Sequence, residues 1–126
     1  MMTKILFVDD KDPIRVMAEA MLMHLCKKYL IVGSAMEAIE NTQTFGPDII
    51  LMDISMPEMN GLEGARRIRK LSLAKRPFIV GMSGFMDEKT RRAAREFGMD
   101  AFLGKPFTHP QLIATLEMCE GFAVSA

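Results

Sequence analysis

The fold is decided by residues 49–61, which read IILMDISMPEMNG. Four apolar residues run directly into the carboxylate of Asp53, and a Met-Pro turn and an Asn-Gly pair follow. A strand that is apolar throughout, without polar alternation, is typical of a parallel sheet with helices on both faces. We therefore predict a buried parallel strand that carries Asp53 at its carboxyl end.

Similar apolar runs alternate with longer amphipathic stretches along the whole chain. The predicted strands are residues 4–10 (KILFVDD), 29–34, 48–53, 78–83 and 101–104. The predicted helices are residues 13–27, with Asp12 as the N-cap, 36–45, a helix opening at 60–61, 88–97 and 109–120. A strand followed by a helix, repeated in this way, predicts one open, doubly wound α/β domain over residues 1–126.

Composition and charge exclude several classes of protein. The chain of 126 residues carries 16 basic and 16 acidic residues, so binding of nucleic acid through bulk charge is not expected. Its apolar runs are shorter than the ~20 residues of a membrane span, and the acidic start is unlike a signal peptide. We therefore expect a cytoplasmic protein without direct nucleic-acid or membrane contacts, in which Cys26 and Cys119 are free core thiols.

Polar residues follow four of the five predicted strands and form the candidate site. They are Asp9 and Asp10, Asp53, Ser83 and Lys105. Taken singly, each is an ordinary turn or surface residue, but the carboxyl ends of parallel strands meet at one edge of a sheet. Three neighbouring carboxylates repel one another and favour a hard cation such as Mg²⁺. A carboxylate can also be a nucleophile, so the set predicts an aspartate phosphorylation site.

Four motifs occur in a fixed order: FVDD at 7–10, LMDISMPEMNG at 51–61, MSG at 82–84 and LGKPF at 103–107. With these motifs the chain resembles the receiver domain of two-component response regulators over roughly residues 3–120. The resemblance implies a flavodoxin-like (βα)5 fold with the strand order 2-1-3-4-5. It also implies a Mg²⁺-dependent phospho-acceptor, not an enzyme with a separate substrate, that promotes its own phosphorylation and dephosphorylation. A sensor histidine kinase or a histidine phosphotransfer protein would be its partner.

The resemblance assigns a role to each acid of the site. Asp53 would accept the phosphoryl group from a phosphohistidine donor. Asp10 and Asp53 would ligate Mg²⁺ directly, with the backbone carbonyl of Ser55 as a third ligand from the protein. Asp9 would act through a bound water.

The resemblance also implies a switch. Lys105 would pair with Asp53 before phosphorylation and with the phosphoryl oxygens afterwards, and the Lys105–Pro106 peptide would be cis. Ser83 would move toward the phosphoryl group, and the ring of Phe102 would follow inward, which would alter the face formed by the fourth helix, fifth strand and fifth helix. Phe102 is equally consistent with an ordinary core residue of the fifth strand.

Two further sets of residues are candidates for a functional role. Ser55 and Phe85 occupy the positions that tune dephosphorylation in the family, and we hypothesise that Phe85 shields the phosphoryl group from water. The basic residues of the fourth helix could belong to the partner face or could form a solvated surface; they are Arg91, Arg92 and Arg95.

Three alternatives to a free-standing receiver remain. The chain could be a receiver excised from a hybrid histidine kinase, and only residues 121–126 follow the last predicted helix, so we expect no output module. Asp10-Lys11-Asp12 mimics the opening motif of haloacid-dehalogenase-type phosphatases, although that interpretation leaves Asp53 unexplained. A phosphate-independent pseudo-receiver would act only as a docking module.

Overall fold

The computed structural model describes residues 3–119, in which five strands and five helices alternate. The strands are Lys4–Val8 (β1), Lys28–Val32 (β2), Ile49–Asp53 (β3), Phe78–Ser83 (β4) and Ala101–Gly104 (β5). The helices are Asp12–Leu25 (α1), Ala35–Phe45 (α2), Gly61–Arg69 (α3), Glu88–Glu96 (α4) and His109–Glu117 (α5). The ends of the predicted domain and the predicted tail at 121–126 lie outside the described residues.

The five strands form one parallel sheet in the order β2-β1-β3-β4-β5, which confirms the predicted fold class. β1 pairs with β2 on one side and with β3 on the other, so that Ile5 lies between Tyr29 and Ile49. The strand order reverses between β1 and β3. In an open sheet of this kind the functional crevice lies outside the carboxyl ends of the strands at that point.

The two faces of the sheet bury two separate apolar clusters. Ile5 and Phe7 point into the cluster that includes Leu22 of α1 and Leu112 of α5. The intervening Leu6 points into the other cluster, which α2, α3 and α4 cover. Because successive side chains of a strand point to opposite faces, burial on both faces explains the uninterrupted apolar runs.

Both cysteines lie in the first cluster. Cys26 and Cys119 are buried free thiols, as predicted. Among the helices of residues 3–119, none combines the length and the apolar character that crossing a bilayer demands.

The predicted N-cap of the first helix is wrong. Lys11, not Asp12, is the N-cap, and its extended backbone donates a hydrogen bond to the Asp9 carboxylate at 2.9 Å. This bond closes the turn after β1 one residue earlier than predicted. The Asp12 carboxylate, placed in the first turn of α1, pairs with Arg15 instead.

The boundaries around β2 also differ from the prediction. α1 ends at Leu25, two residues before the predicted end, because Cys26 is already extended. β2 ends at Val32, and Ser34 is the N-cap of α2, where its hydroxyl accepts a hydrogen bond from the Glu37 N–H at 3.1 Å. Asp87 is the N-cap of α4, and Thr108 forms a capping box with Gln111 at the start of α5.

The start of α3 packs directly on the end of β3. The Gly61 N–H donates to the Ile54 carbonyl at 3.0 Å. A Cβ atom at Gly61 would lie 2.1 Å from the Asp53 carbonyl oxygen, a separation that no side chain tolerates. α3 can therefore pack against the end of β3, which carries Asp53, only because residue 61 has no side chain.

We predict that Gly61→Ala lowers the free energy of unfolding by about 2 kcal/mol or more, since the added methyl must displace backbone. Gly104→Ala is the matched control, because a Cβ at residue 104 meets nothing within 4 Å. Urea denaturation of both variants measures the difference. Equal stabilities for the two variants would contradict this account of the α3–β3 contact.

Candidate functional site

The structure brings the three candidate acids together at the carboxyl edge of the sheet. Asp9, Asp10 and Asp53 each offer a carboxylate oxygen, and these oxygens lie within 4.8 Å of one another. Asp9 and Asp53 are 0% exposed, whereas Asp10 is half-buried. Such a concentration of buried negative charge is stable only with a compensating cation.

Lys105 supplies that positive charge from the end of β5. Its ammonium Nζ lies 2.9 Å from Asp9 Oδ2 and 3.2 Å from Asp53 Oδ1. The Lys105 N–H donates to the Ser83 carbonyl at 2.8 Å, which fixes the start of the loop after β5 against the end of β4. The Lys105–Pro106 peptide bond in this loop is cis.

Asp9 is fixed by its surroundings on every side. Its N–H donates to the Val32 carbonyl at 3.2 Å, and the Arg15 guanidinium donates to its carbonyl at 2.8 Å. Its carboxylate accepts from the Lys11 N–H and from Lys105. The sequence motif predicts that Asp9 lies at the site. It does not predict that the Lys105 ammonium lies at least as close to Asp9 as to Asp53. Arg15 was also missed, although its place in the first turn of α1, directly after the turn with the paired acids, is a usable signal.

Asp53 has one satisfied and one unsatisfied carboxylate oxygen. Oδ1 accepts from the Ser55 N–H at 3.2 Å and lies against Lys105. Oδ2 is buried and has no hydrogen-bond partner among the described residues. A buried polar atom left in this way costs about 1–3 kcal/mol, so this oxygen is available for a ligand or a reaction.

Burial raises the pKa of Asp53, and the neighbouring charge of Asp9 raises it further. Lys105 and the Ser55 N–H lower it again without cancelling the rise. Burial alone would lower the pKa of Lys105, but its bonds and charge interactions with Asp9 and Asp53 outweigh burial and raise that pKa. The lysine therefore stays charged, while the ionised Asp53 is held in an unfavourable environment.

Ser83 is buried at the end of β4, but its hydroxyl faces its own loop in this structure. Its Oγ donates to the Phe85 carbonyl at 3.0 Å and accepts from the Phe85 N–H at 3.1 Å. The Phe85 ring is 71% exposed and does not cover the acids. Ser83 thus lies at the predicted edge of the sheet, but its hydroxyl bonds to the Phe85 backbone and not to an acid of the site.

Phe102 is a half-buried residue of β5 that packs against the second apolar cluster. The guanidinium groups of Arg91 and Arg95 lie over its ring, at 5.8 Å and 5.5 Å from the ring centre. Arg92 is exposed on the same helix. The basic residues of α4 are therefore not equivalent, because two of them contact an aromatic ring.

The donor set fits a hard divalent cation. Three carboxylates that converge at an open sheet edge, one with an unpartnered oxygen, are the ligands that Mg²⁺ prefers. Asp10 is the most accessible of the three acids and so the easiest for an incoming hydrated ion to reach.

We predict that Asp53→Asn stabilises the metal-free protein at pH 7. Because the folded-state pKa of Asp53 is raised, the folded protein binds this proton more tightly than the unfolded chain does. Parent stability therefore falls as pH rises from the unfolded carboxyl pKa of about 3.9 through the folded-state value. The stability gained in Asp53→Asn should become smaller at pH values below that range. Urea denaturation with a chelator, repeated across pH, measures it.

Asp100→Asn is a control of opposite sign. Burial alone would raise the pKa of Asp100, but hydrogen bonds from Arg76 and the Ile79 N–H and the charge of Arg69 outweigh burial and lower it. This variant should lose stability at pH 7, and the loss should diminish in acid. A loss of stability at pH 7 in Asp53→Asn as well would contradict the destabilising role of the Asp53 charge.

Comparisons with known proteins agree with this geometry. A family model described as the response regulator receiver domain matches residues 5–117. The transcriptional regulatory protein PdtaR of Mycobacterium tuberculosis is 32% identical over 118 residues, which are 91% of this chain and 55% of that protein. An uncharacterized response regulatory protein of Yersinia pestis is 35% identical over 120 residues, 91% of this chain and 47% of that protein. The chain thus spans about half the length of these relatives.

Solved structures show the same architecture. The chemotaxis protein CheY4 of Vibrio cholerae superposes with a TM-score of 0.89 at 28% identity, covering 94% of this chain and 99% of that one. The receiver domain of sensor histidine kinase PA1611 from Pseudomonas aeruginosa, with a magnesium ion coordinated in its active site cleft, gives 0.84 at 27% identity, covering 94% and 98%. The chain belongs to the family of response regulator receiver domains of two-component signalling.

Proposed function

We propose that this receiver domain takes a phosphoryl group from a phosphohistidine donor onto Asp53 in a Mg²⁺-dependent reaction. The observation that carries the proposal is the buried Oδ2 of Asp53, which has no hydrogen-bond partner in the part of the chain that the structure describes and lies beside a lysine and two further carboxylates. Receiver domains as a class are signalling phospho-acceptors that work with histidine kinases or phosphotransfer proteins. The finer assignment rests on the chemistry of these particular side chains.

Asp53 would be the nucleophile. Its carboxylate oxygen would form the new bond to phosphorus as the bond from phosphorus to the donor imidazole breaks. The electron pair of the broken bond would stay on the imidazole, which would leave as a neutral ring after taking up a proton from water. Phosphoryl transfer depends on positioning and charge neutralisation more than on covalent help from the protein. Lys105 is placed for this role, because its ammonium can contact a phosphoryl oxygen while it remains paired with Asp9.

The metal would be held by Asp10, Asp53 and the backbone carbonyl of Ser55. When bound, Mg²⁺ supplies positive charge to the phosphoryl oxygens and relieves repulsion among the carboxylates. Asp9 is already bonded to Lys105 at 2.9 Å, which supports a less direct role for it, through a bound water.

The output would begin at Ser83. To reach a phosphoryl oxygen, its hydroxyl must leave both backbone groups of Phe85. The ring of Phe102 would then move inward, and the face formed by α4, β5 and α5 would change. Phosphorylation would act by shifting a balance between two existing conformations, not by creating a new fold.

The comparisons do not favour the alternatives. Both curated relatives named above are regulators, and one of the two solved structures comes from a sensor histidine kinase, so an excised hybrid-kinase receiver has no special support. Membership of the receiver family leaves the phosphatase hypothesis without support. A phosphate-independent docking module is the alternative that the next experiment addresses.

We expect acetyl phosphate and Mg²⁺ to add the mass of one phosphoryl group to the intact protein. The label should be absent from Asp53→Ala and should require the metal, so a chelator serves as a second control. Asp87→Ala, which removes an exposed carboxylate that caps α4, is the matched variant that should still be labelled. A label that persists in Asp53→Ala, or no label in the parent, would refute the assignment of Asp53.

We also expect Phe85→Ala to lose its phosphoryl group faster than the parent does. Once Ser83 releases its backbone, Phe85 is free to fold its exposed ring over the site and exclude water. Phe85→Leu, which keeps most of the apolar bulk, should stay near the parent rate. Decay of the phosphorylated mass over time measures both, and an unchanged rate in Phe85→Ala would remove the shielding role.

A further inference from the structure

Two arginines of α4 share a single aromatic ring. Arg91 and Arg95 are one helical turn apart, so both side chains leave the same face of the helix. Their guanidinium carbons lie 5.8 Å and 5.5 Å from the centre of the Phe102 ring, within the range of a cation–π interaction. The ring is thus contacted by two cations from a neighbouring element, on a face that is still partly exposed.

The remaining contacts of these arginines are weak. Arg91 Nε lies 3.4 Å from the Met86 carbonyl, and Arg95 lies 3.6 Å from the exposed Glu88 carboxylate. Both distances are at or beyond the limit of a useful hydrogen bond, and an exposed ion pair adds little. The Phe102 ring is therefore the main partner that fixes both side chains over β5.

We propose that Arg91 and Arg95 are positioning residues that hold the Phe102 ring in its half-buried position and so oppose activation. This inference rests on the proposed function, in which the ring moves inward once Asp53 carries a phosphoryl group. The arginines lie on exposed positions of α4, whereas the ring lies on β5. Inward movement therefore takes the ring away from both cations and breaks both contacts.

Linkage gives the sign of the effect. A ligand that favours the inward conformation must overcome the two contacts, so their removal tightens the binding of that ligand. A single cation–π contact at an exposed site changes an equilibrium by roughly two- to fivefold. The two arginine contacts thus determine how much the inward movement of the ring weakens the affinity for the phosphoryl group.

The test uses the full chain and beryllofluoride with Mg²⁺ as the phosphoryl mimic, with affinity measured by calorimetry. Arg91→Gln/Arg95→Gln should bind it roughly fivefold more tightly than the parent. Lys89→Gln/Arg92→Gln is the charge-matched control, because it removes two positive charges from exposed positions of the same helix. This control should bind no more tightly than the parent, since losing positive charge weakens the attraction of an anion.

A second arm removes the ring and keeps the arginines. In a Phe102→Leu background the double arginine substitution should no longer tighten beryllofluoride binding, because leucine offers no aromatic face. Arg91→Lys/Arg95→Lys in the parent should stay near the parent affinity, since it retains both cations. If Phe102→Leu does not fold, the comparison of the two charge-matched double variants decides the question by itself.

Two results would overturn the inference. One is equal affinity of Arg91→Gln/Arg95→Gln and its charge-matched control, and the other is an arginine effect that persists in Phe102→Leu. Either result leaves the proposed function intact, because the parent still binds beryllofluoride. Failure of the parent to bind beryllofluoride, together with no phosphoryl label at Asp53, would instead refute the proposed function on which the inference rests.

Discussion

The Lys105 ammonium, held between Asp9 and Asp53, is the interaction on which the site depends. Two fully buried carboxylates repel each other, and removal of the one cation between them would leave an uncompensated charge in a desolvated place. Even with the lysine present, one oxygen of Asp53 has no hydrogen-bond partner within residues 3–119. The site is therefore a source of instability that the apolar core must offset, and in the proposed function this same deficit would make Asp53 reactive toward phosphorus.

The sheet provides the rigidity that such a site needs. β1 and β3 are buried on both faces, and α3 contacts the end of β3 closely enough to exclude a side chain at Gly61. Asp9 and Asp53 cannot move apart to relieve their repulsion, because one directly follows β1 and the other ends β3, and the core holds both strands in place. The residues of the proposed output differ, since Phe85 is exposed and Phe102 is only half-buried, so that their contacts can be exchanged. Rigid acids beside exchangeable aromatic contacts are the combination that a switch requires.

The five strands could be predicted because each leaves a short apolar run in the sequence, and the strand order was implied by the resemblance to receiver domains. The grouping of the acids followed from the topology, since parallel strands end at one edge. The wrong N-cap of α1 has a local cause. Because the Asp9 carboxylate accepts a hydrogen bond from the Lys11 N–H, the turn after β1 closes at Lys11, and Asp12 is not needed as a cap. The contacts of Arg91 and Arg95 with Phe102 could not be inferred, because periodicity shows which face a residue occupies and not which distant ring it meets.

In the proposed function, Ser83 would link the acid site to the surface through a competition between two hydrogen-bond acceptors. In this structure its hydroxyl donates to a neutral backbone carbonyl of Phe85 and accepts from the N–H of the same residue. A phosphoryl oxygen is a charged acceptor, and hydrogen bonds to charged groups are roughly twice as strong as neutral ones. In the proposed function, the charge on the phosphoryl group would favour transfer of the hydroxyl to it. The Phe85 carbonyl would lose a bond, but a carbonyl in an exposed loop regains one from water. Because the Lys105 N–H is bonded to the Ser83 carbonyl, the lysine and the hydroxyl would approach the phosphoryl group from a common support. The direction of the proposed switch would follow from the difference in strength between a charged and a neutral acceptor for one proton.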